Sequence, residues 1–282
     1  MTVAEPVFLR NLTLYPVRSA STNGLEIASA DEVLEDGSCA FRELDTPLID
    51  EIEFDNGGDQ PVLLLDGEEI TGSMQNRILA ASTVVEARSR ETIGVICAEE
   101  GRWSELGLFR PGSCSYPALR ALLSRHRRKA EGIQQTVWSE IERKLTATQT
   151  LSQTSSMHDI YNNLQDEVDR YVEGFEGLND NTSGFVAAAA GKILGCDIFD
   201  SPAIYRKYEN KLLRSYALDA MEYRRPVRTE CDVDGFLDRL TRASARRSRA
   251  GTTGRFSFSS SNLSGQGVAF QGRTAHLSAF PK

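Results

Sequence analysis

Across residues 7–103 the apolar positions fall in short runs separated by turn residues. Residues 7–9 and 12–17 are β-prone, and residues 49–54 (IDEIEF) alternate apolar and polar side chains with the period of a half-buried strand. Residues 55–59 (DNGGD) have turn chemistry, because Asn and Gly accept positive φ. Residues 61–65 (PVLLL) read as a buried strand, and Asp66-Gly67 as a hairpin-type pair. Residues 78–85 and 92–97 are expected to pair as a hairpin, placing Cys97 beside positions 76–80. One short helix interrupts this stretch at 28–34, with Ser29 as its cap and Asp31 and Glu32 in its first turn.

From 117 to 175 the period changes to that of an α-helix. Leu119, Leu122 and Leu123 open a basic helix, and Val137, Trp138, Ile141 and Leu145 form a second stripe. Met157, Ile160, Tyr161, Leu164 and Val168 belong to a third stripe, read as core packing. Residues 183–200 predict a hairpin turning at Gly191-Lys192. Ser201 and Pro202 then supply the N-cap and first position of a helix reaching about Met221. A short helix over 233–241, a mobile loop over 242–254 and strands through FSFSS, GVAF and TAHLSAF follow. The expected fold class is α+β. An antiparallel β sheet or sandwich from the N-terminal strands is covered by helices, with a hairpin and C-terminal strands returning to the β layer. A single integrated domain over 1–282 is expected: β-rich 7–103, helical 117–175, and hairpin, helix and terminal strands 183–280.

Composition acts mainly by exclusion. The chain has 282 residues, 32 Lys plus Arg and 40 Asp plus Glu, for a net charge of −8. That balance argues against a general nucleic-acid coat protein. The five cysteines (Cys39, Cys97, Cys114, Cys196, Cys231) include no CxxC, so zinc-ribbon and thioredoxin readings fail. The three histidines (His126, His158, His276) show no HExxH spacing, so no metal site is expected, and the cofactor is left unknown. The first residues lack a basic-then-apolar leader. The longest apolar stretch, 184–194, carries a lysine and is too short for a bilayer span. A cytoplasmic protein without a membrane partner is the expectation.

The densest polar region is 66–77 (DGEEITGSMQNR). Strand neighbours face opposite sides, so only one of Glu68 and Glu69 can share a face with a site. A turn at Thr71-Gly72 can bring Gln75, Asn76 and Arg77 back beside it. A carboxylate, two amides and a guanidinium can read a polar, planar or phosphorylated ligand. They can equally satisfy one another in a buried network. A second cluster, Cys97, Glu99, Glu100, Gly101, Arg102 and Trp103, is expected at the same end of the sheet. The ligand-binding candidates are therefore Glu68, Gln75, Asn76, Arg77, Glu100, Arg102 and Trp103. Glu68 and Glu69 are the candidate general bases of a hydrolase. Cys97 reads as a buried thiol rather than a nucleophile.

A third polar group is Asp197, Asp200 and Ser201. Capping explains the last two, and Asp197 lies on a strand from which it can face a cleft. Gly191-Lys192 lacks the rest of a phosphate-binding loop. Two basic patches, Arg125 to Lys129 and Arg242 to Arg249, read as solvated surface or as protein-partner contacts. They lack the interleaved aromatics of a nucleic-acid site. His126 is expected to be exposed, and His276 to be a packed or surface imidazole.

The segments VLLLDGEEITGSMQNRIL, CAEEGRW, TVWSEIERKL and GKILGCDIFDSPAIYRKYENKLLRSYALDA together resemble a bacterial family of unknown function. It is the ARG and rhodanese-phosphatase-superfamily-associated protein domain family, and the resemblance spans about residues 7–280. The positions matching its first two motifs are Asp66, Gly67, Glu68, Glu69, Gln75, Asn76, Arg77, Cys97, Glu100, Gly101, Arg102 and Trp103. The resemblance implies association with ADP-ribosylglycohydrolase-like and phosphatase-like proteins, and assigns no catalytic role to any residue. Three functions are expected in turn. The first is a binding or accessory protein for a nucleotide-like or ADP-ribose-like ligand. The second is a hydrolase with a carboxylate base, and the third an interaction scaffold using the basic segments.

Overall fold

The computed structural model describes residues 2–18, 24–104, 106–125, 132–223, 231–245 and 254–282. The first strands are β1 (Thr2–Val3), β2 (Val7–Leu9), β3 (Leu12–Arg18), β4 (Ala28–Ser29), β5 (Cys39–Arg42) and β6 (Glu51–Asn56). Next come β7 (Val62–Leu64), β8 (Glu68–Thr71), β9 (Arg77–Leu79), β10 (Thr83–Val85), β11 (Ser89–Cys97) and β12 (Arg110–Cys114). The last are β13 (Thr182–Ala189), β14 (Lys192–Phe199), β15 (Gly254–Ser259), β16 (Leu263–Phe270) and β17 (Arg273–Pro281). The helices are α1 (Ala30–Glu35), α2 (Pro117–Arg125), α3 (Ile133–Ala147), α4 (Met157–Asn163), α5 (Gln165–Val172), α6 (Pro202–Ala220) and α7 (Val233–Ala245). Helices and antiparallel sheets coexist in an α+β fold; among the described residues the one parallel pair is β4 with β7. The chain divides into two compact units. Unit 1 holds Met1–Leu25, Tyr116–Arg125 and Glu167–Lys282; unit 2 holds Glu26–Ser115 and His126–Asp166.

Unit 2 carries a six-stranded sheet in the order β12-β8-β9-β11-β6-β5 and a three-stranded sheet β10-β7-β4. One core joins them. Val62, Leu64 and Val85 of the small sheet pack with Ile52, Phe54, Leu79, Ile93 and Val95 of the large one. Ala30 and Val33 of α1 enter the same core, so the cap at Ser29 fixes where that helix meets it. The expected hairpin at Asp66-Gly67 does not form, because β7 and β8 belong to different sheets. The polypeptide turns a corner there instead. Gly67 (φ 84°) donates its N–H to Leu79 O, and the Asp66 N–H is held by Ser82 Oγ at 2.9 Å. The returning chain makes the same switch, so the strand expected over 78–85 breaks into β9 and β10. The pairing expected for Cys97 is present, with Cys97 opposite Arg77 and Val95 opposite Leu79. The strand expected over 49–54 lies two residues later. Buried Asn56 ends it, donating to Gln60 O and Glu86 O at 2.9 Å each.

Unit 1 is a sheet covered on both faces. Its strand path is β1-β3-β13-β14-β17-β16-β15, with β2 also pairing β3. One face holds Val186, Cys196, Ile198, Leu277 and Ala279 and meets Phe236, Leu237 and Leu240 of α7. The other face is met by α6 on β13 and β14 and by α2 on β16 and β17. Phe185 there lies edge-on to Tyr205 and Tyr216 of α6. Two covered faces explain why all of β13 is buried and reads as a continuous run. The hairpin turns at Ala190-Gly191, one residue earlier than expected. Both residues have positive φ (50° and 76°), as a two-residue hairpin turn of matching twist requires. Helix α7 extends beyond the expected 233–241. Residues 126–129 of the first basic patch, and Arg246, Arg247 and Arg249 of the second, lie outside the described residues.

Candidate functional site

The alternation of β8 separates its two glutamates. The Glu68 carboxylate turns into the corner and accepts the Leu65 N–H at 2.7 Å. Glu69 faces the other way, under a bulge in β12 between Pro111 and Cys114. Gly112 makes that closeness possible: a Cβ there would lie 2.9 Å from both Glu69 O and Glu69 Oε2. Glu69 Oε2 accepts a hydrogen bond from His158 Nδ1 at 3.0 Å, while its other oxygen is buried and carries no partner among the described residues.

His158 is the second residue of α4. Ser156 caps that helix, its Oγ accepting the His158 N–H at 3.2 Å. The imidazole is 36% exposed over a fully buried carboxylate. The Glu69 hydrogen bond raises the His158 pKa; partial burial opposes it, and the charges of Glu69, Asp159 and Glu99 add to the rise.

Residues 72–77 fold back as the turn signal predicts. Gly72 has φ 106°, and a Cβ there would sit 2.5 Å from Leu108 O. Asn76 Oδ1 accepts the Gly72 N–H at 2.9 Å. The second cluster comes alongside: Asn76 N–H donates to Glu99 Oε1 at 2.7 Å and Gln75 Nε2 to Glu99 O at 3.0 Å. Arg102 binds Glu99 Oε1 through Nε (2.9 Å) and Nη2 (2.6 Å), and Ser73 O and Ser104 O through Nη1 (2.7 Å each). Fully buried Arg77 donates to Gln75 Oε1 at 2.8 Å and Cys97 Sγ at 2.7 Å, with Trp103 over its guanidinium at 5.3 Å. The two clusters thus meet: Gln75, Asn76 and Arg102 all bond to Glu99, and Arg77 joins them through Gln75. Neither Arg77 nor Arg102 engages Glu68 or Glu69. Glu100 and Trp103 are exposed. Burial pushes the Cys97 thiol pKa up, with Arg77 opposing, so the thiol is kept protonated.

An open cleft of about 960 Å³ lies on this network, entirely within unit 2. Asn76, Glu99 and Arg102 form one part of its wall, and His158, Arg110 and Asn162 another. Arg110 is the cross-strand partner of Thr71, two positions along β8 from Glu69, and so sits diagonally across the ladder from that carboxylate. The side chains of Arg110, Gln153 and Asn162 have no polar partner among the described residues. Leu106, Leu108 and Leu151 line the cleft at 64%, 82% and 97% exposure. Sequence reasoning passed over His158, Arg110 and Asn162. The Ser156 cap was a usable signal for the start of α4, but the sequence separation of 89 between Glu69 and His158 hides the pair.

Asp197, which the strand alternation allowed to face a cleft, is sealed inside unit 1. It accepts both Arg120 Nη1 (2.9 Å) and Nη2 (2.6 Å), His276 Nε2 (3.0 Å) and Tyr216 OH (2.8 Å). All four residues are fully buried. Burial alone pushes the Asp197 carboxyl up; Arg120 and His276 outweigh it and hold the group below the usual carboxylate range. Asp200 receives the Leu25 N–H and Arg273 Nε, and Ser201 Oγ caps α6 as expected.

Among the described residues no group of three or more His, Cys, Asp or Glu is placed to hold a metal ion. No helix among them is long and apolar enough to cross a membrane. A family described as the ARG and Rhodanese-Phosphatase-superfamily-associated Protein domain matches residues 1–280. No curated protein and no solved structure matches the chain.

Proposed function

The chain belongs to the ARG and rhodanese-phosphatase-superfamily-associated protein domain family, and from that premise we propose that unit 2 binds a nucleotide-like ligand, of the ADP-ribose kind, in its cleft. One observation carries the reading: unengaged polar side chains and exposed leucines converge on the same open cleft. Arg110 suits a phosphate, since a free guanidinium offers paired donors to its oxygens. The Gln153 and Asn162 amides can donate to and accept from a ribose or base edge. Leu106 and Leu108 offer an apolar surface for a ring. The interlocked network of Glu99, Arg102 and Asn76 holds the wall rigid, so little ordering cost falls on binding. This refines the expected set: the network residues support the cleft, and the contacts come from the other wall.

Isothermal titration with ADP-ribose and with AMP tests the reading. Both are expected to release heat with the folded protein. Arg110→Ala is expected to weaken ADP-ribose by about tenfold or more, the equivalent of about 1.4 kcal/mol. Absence of heat with either compound in a folded sample overturns it.

A further inference from the structure

The Glu69–His158 pair has an asymmetry that a simple surface ion pair lacks. The carboxylate is fully buried, and Gly112 and the β12 bulge close over it, so it cannot follow the imidazole if the ring moves. The imidazole is half in the open and lines the cleft. Its Nδ1–H is fixed on Glu69 Oε2, which directs the lone pair of the neutral ring onto Nε2. Nε2 has no partner among the described residues. A histidine whose inner nitrogen is oriented by a buried carboxylate, and whose outer nitrogen opens to a ligand cavity, is built to take a proton there.

We propose that His158 is the general base of a hydrolytic reaction on a phosphate-bearing ligand in this cleft, with Glu69 as its positioning residue and Arg110 as the anion anchor. The proposal rests on the binding reading above and adds a reaction to it. The bond attacked is a phosphoanhydride or phosphodiester P–O bond. His158 Nε2 accepts a proton from water as the water oxygen bonds to phosphorus. The P–O bond to the leaving group breaks, and the leaving oxygen keeps the electron pair. The proton on Nε2 then passes to that oxygen. One water is consumed, one phosphate ester and one alcohol or second phosphate are released, and the dyad returns to its starting state. Arg110 neutralises the phosphoryl oxygens, whose charge otherwise repels the incoming water.

The charges acting on His158 are Glu69 from β8, Glu99 after β11 and Asp159 from its own helix, and Arg102 and Arg110 line the same cleft. The base works only when neutral, so the rate should rise with pH through the raised imidazole pKa. Replacing Glu69 by Gln removes the main cause of that rise and should move the acid limb to lower pH, a shift that a purely structural role would not give.

Two arms test this with the whole chain. In the first, ADP-ribose and bis(p-nitrophenyl) phosphate are incubated with the protein, and AMP or p-nitrophenolate is followed. Turnover is expected, and His158→Gln should lower it by about 10²–10⁴ while ADP-ribose still binds. If ADP-ribose binds and neither compound is hydrolysed, the reaction is overturned and the binding reading stands. The second arm needs no substrate. Carbethoxylation of His158 by diethyl pyrocarbonate is followed against pH by mass spectrometry, in the wild type and in Glu69→Gln. A midpoint above that of free imidazole, lowered in the variant, supports the dyad. A midpoint unchanged by the variant, or a His158 that does not react, overturns it whether or not any ligand binds.

Discussion

Protonation of His158 completes an ion pair with Glu69, and this ties the stability of unit 2 to pH. The imidazole pKa is raised in the folded chain above the value of about 6.5 it has when unfolded. The pair's contribution is therefore fully present below that unfolded value and is lost as pH climbs through the raised one. The melting-temperature gap between the wild type and His158→Gln should be widest below about pH 6.5 and should narrow as pH rises through the raised imidazole pKa; a gap independent of pH counts against the pair. In unit 1 the sign is reversed. Asp197 is held below its usual range, so its contribution is present above about pH 4 and fails only as pH falls through the depressed value. Arg120→Met leaves Asp197 without its bidentate partner in a sealed interior. The expected cost is about 3–5 kcal/mol in urea unfolding of unit 1. Adding Asp197→Leu should recover part of it, because the unpaired charge is then gone. At this scale the sequence separates Glu68 from Glu69 by strand alternation alone. It does not show that Asp197 is neutralised from α2 and β17, since 77 and 79 residues part it from those partners.

Local chemistry sets the elements where a side chain bonds to its own neighbours. Ser29 and Glu32 form a reciprocal capping box: Glu32 N–H to Ser29 Oγ at 3.4 Å, and Ser29 N–H to Glu32 Oε2 at 2.9 Å. Ser29→Ala is expected to cost about 1 kcal/mol, read as a lower melting temperature of unit 2 with the same far-ultraviolet spectrum. Such caps are legible because they reach three residues. The Ser201-Pro202 start of α6 was readable for the same reason. The corner at Asp66-Gly67 was not. A turn pair between apolar runs looks the same whether the second strand pairs with the first or leaves for another sheet. What decides it is Ser82 holding Asp66 and Leu79 holding Gly67, contacts made by residues still to come. The break in 78–85 follows from the same corner, where periodicity gave no warning because β9 and β10 are both fully buried.

Over the whole molecule, the chain order and the unit boundaries do not coincide. Strands β1–β3 belong to unit 1 and β4–β12 to unit 2, so the N-terminal β-rich stretch supplies two units. Its alternation reports burial and cannot say which core does the burying. The return of the hairpin to the first β layer was legible as an expectation and is present, with Val186 opposite Tyr15 of β3. The last strand, β17, is interior, paired to both β14 and β16. Deleting residues 272–282 should therefore abolish the unfolding transition of unit 1, checked by circular dichroism and protease sensitivity, rather than trim an edge. Survival of that transition would contradict the strand order.

The interior place of β17 also sets a timetable during synthesis. Every residue of the cleft, from Thr71 to Asn163, is translated before the strand that completes the other unit. The cleft can mature on a ribosome-bound chain while β14 and β16 still present open edges. Those edges are what strand-capturing chaperones hold, and what neighbouring nascent chains on a polysome can pair with. Slowed elongation between β16 and β17 would lengthen that exposure and lower the yield of soluble chain, even with every side chain unchanged.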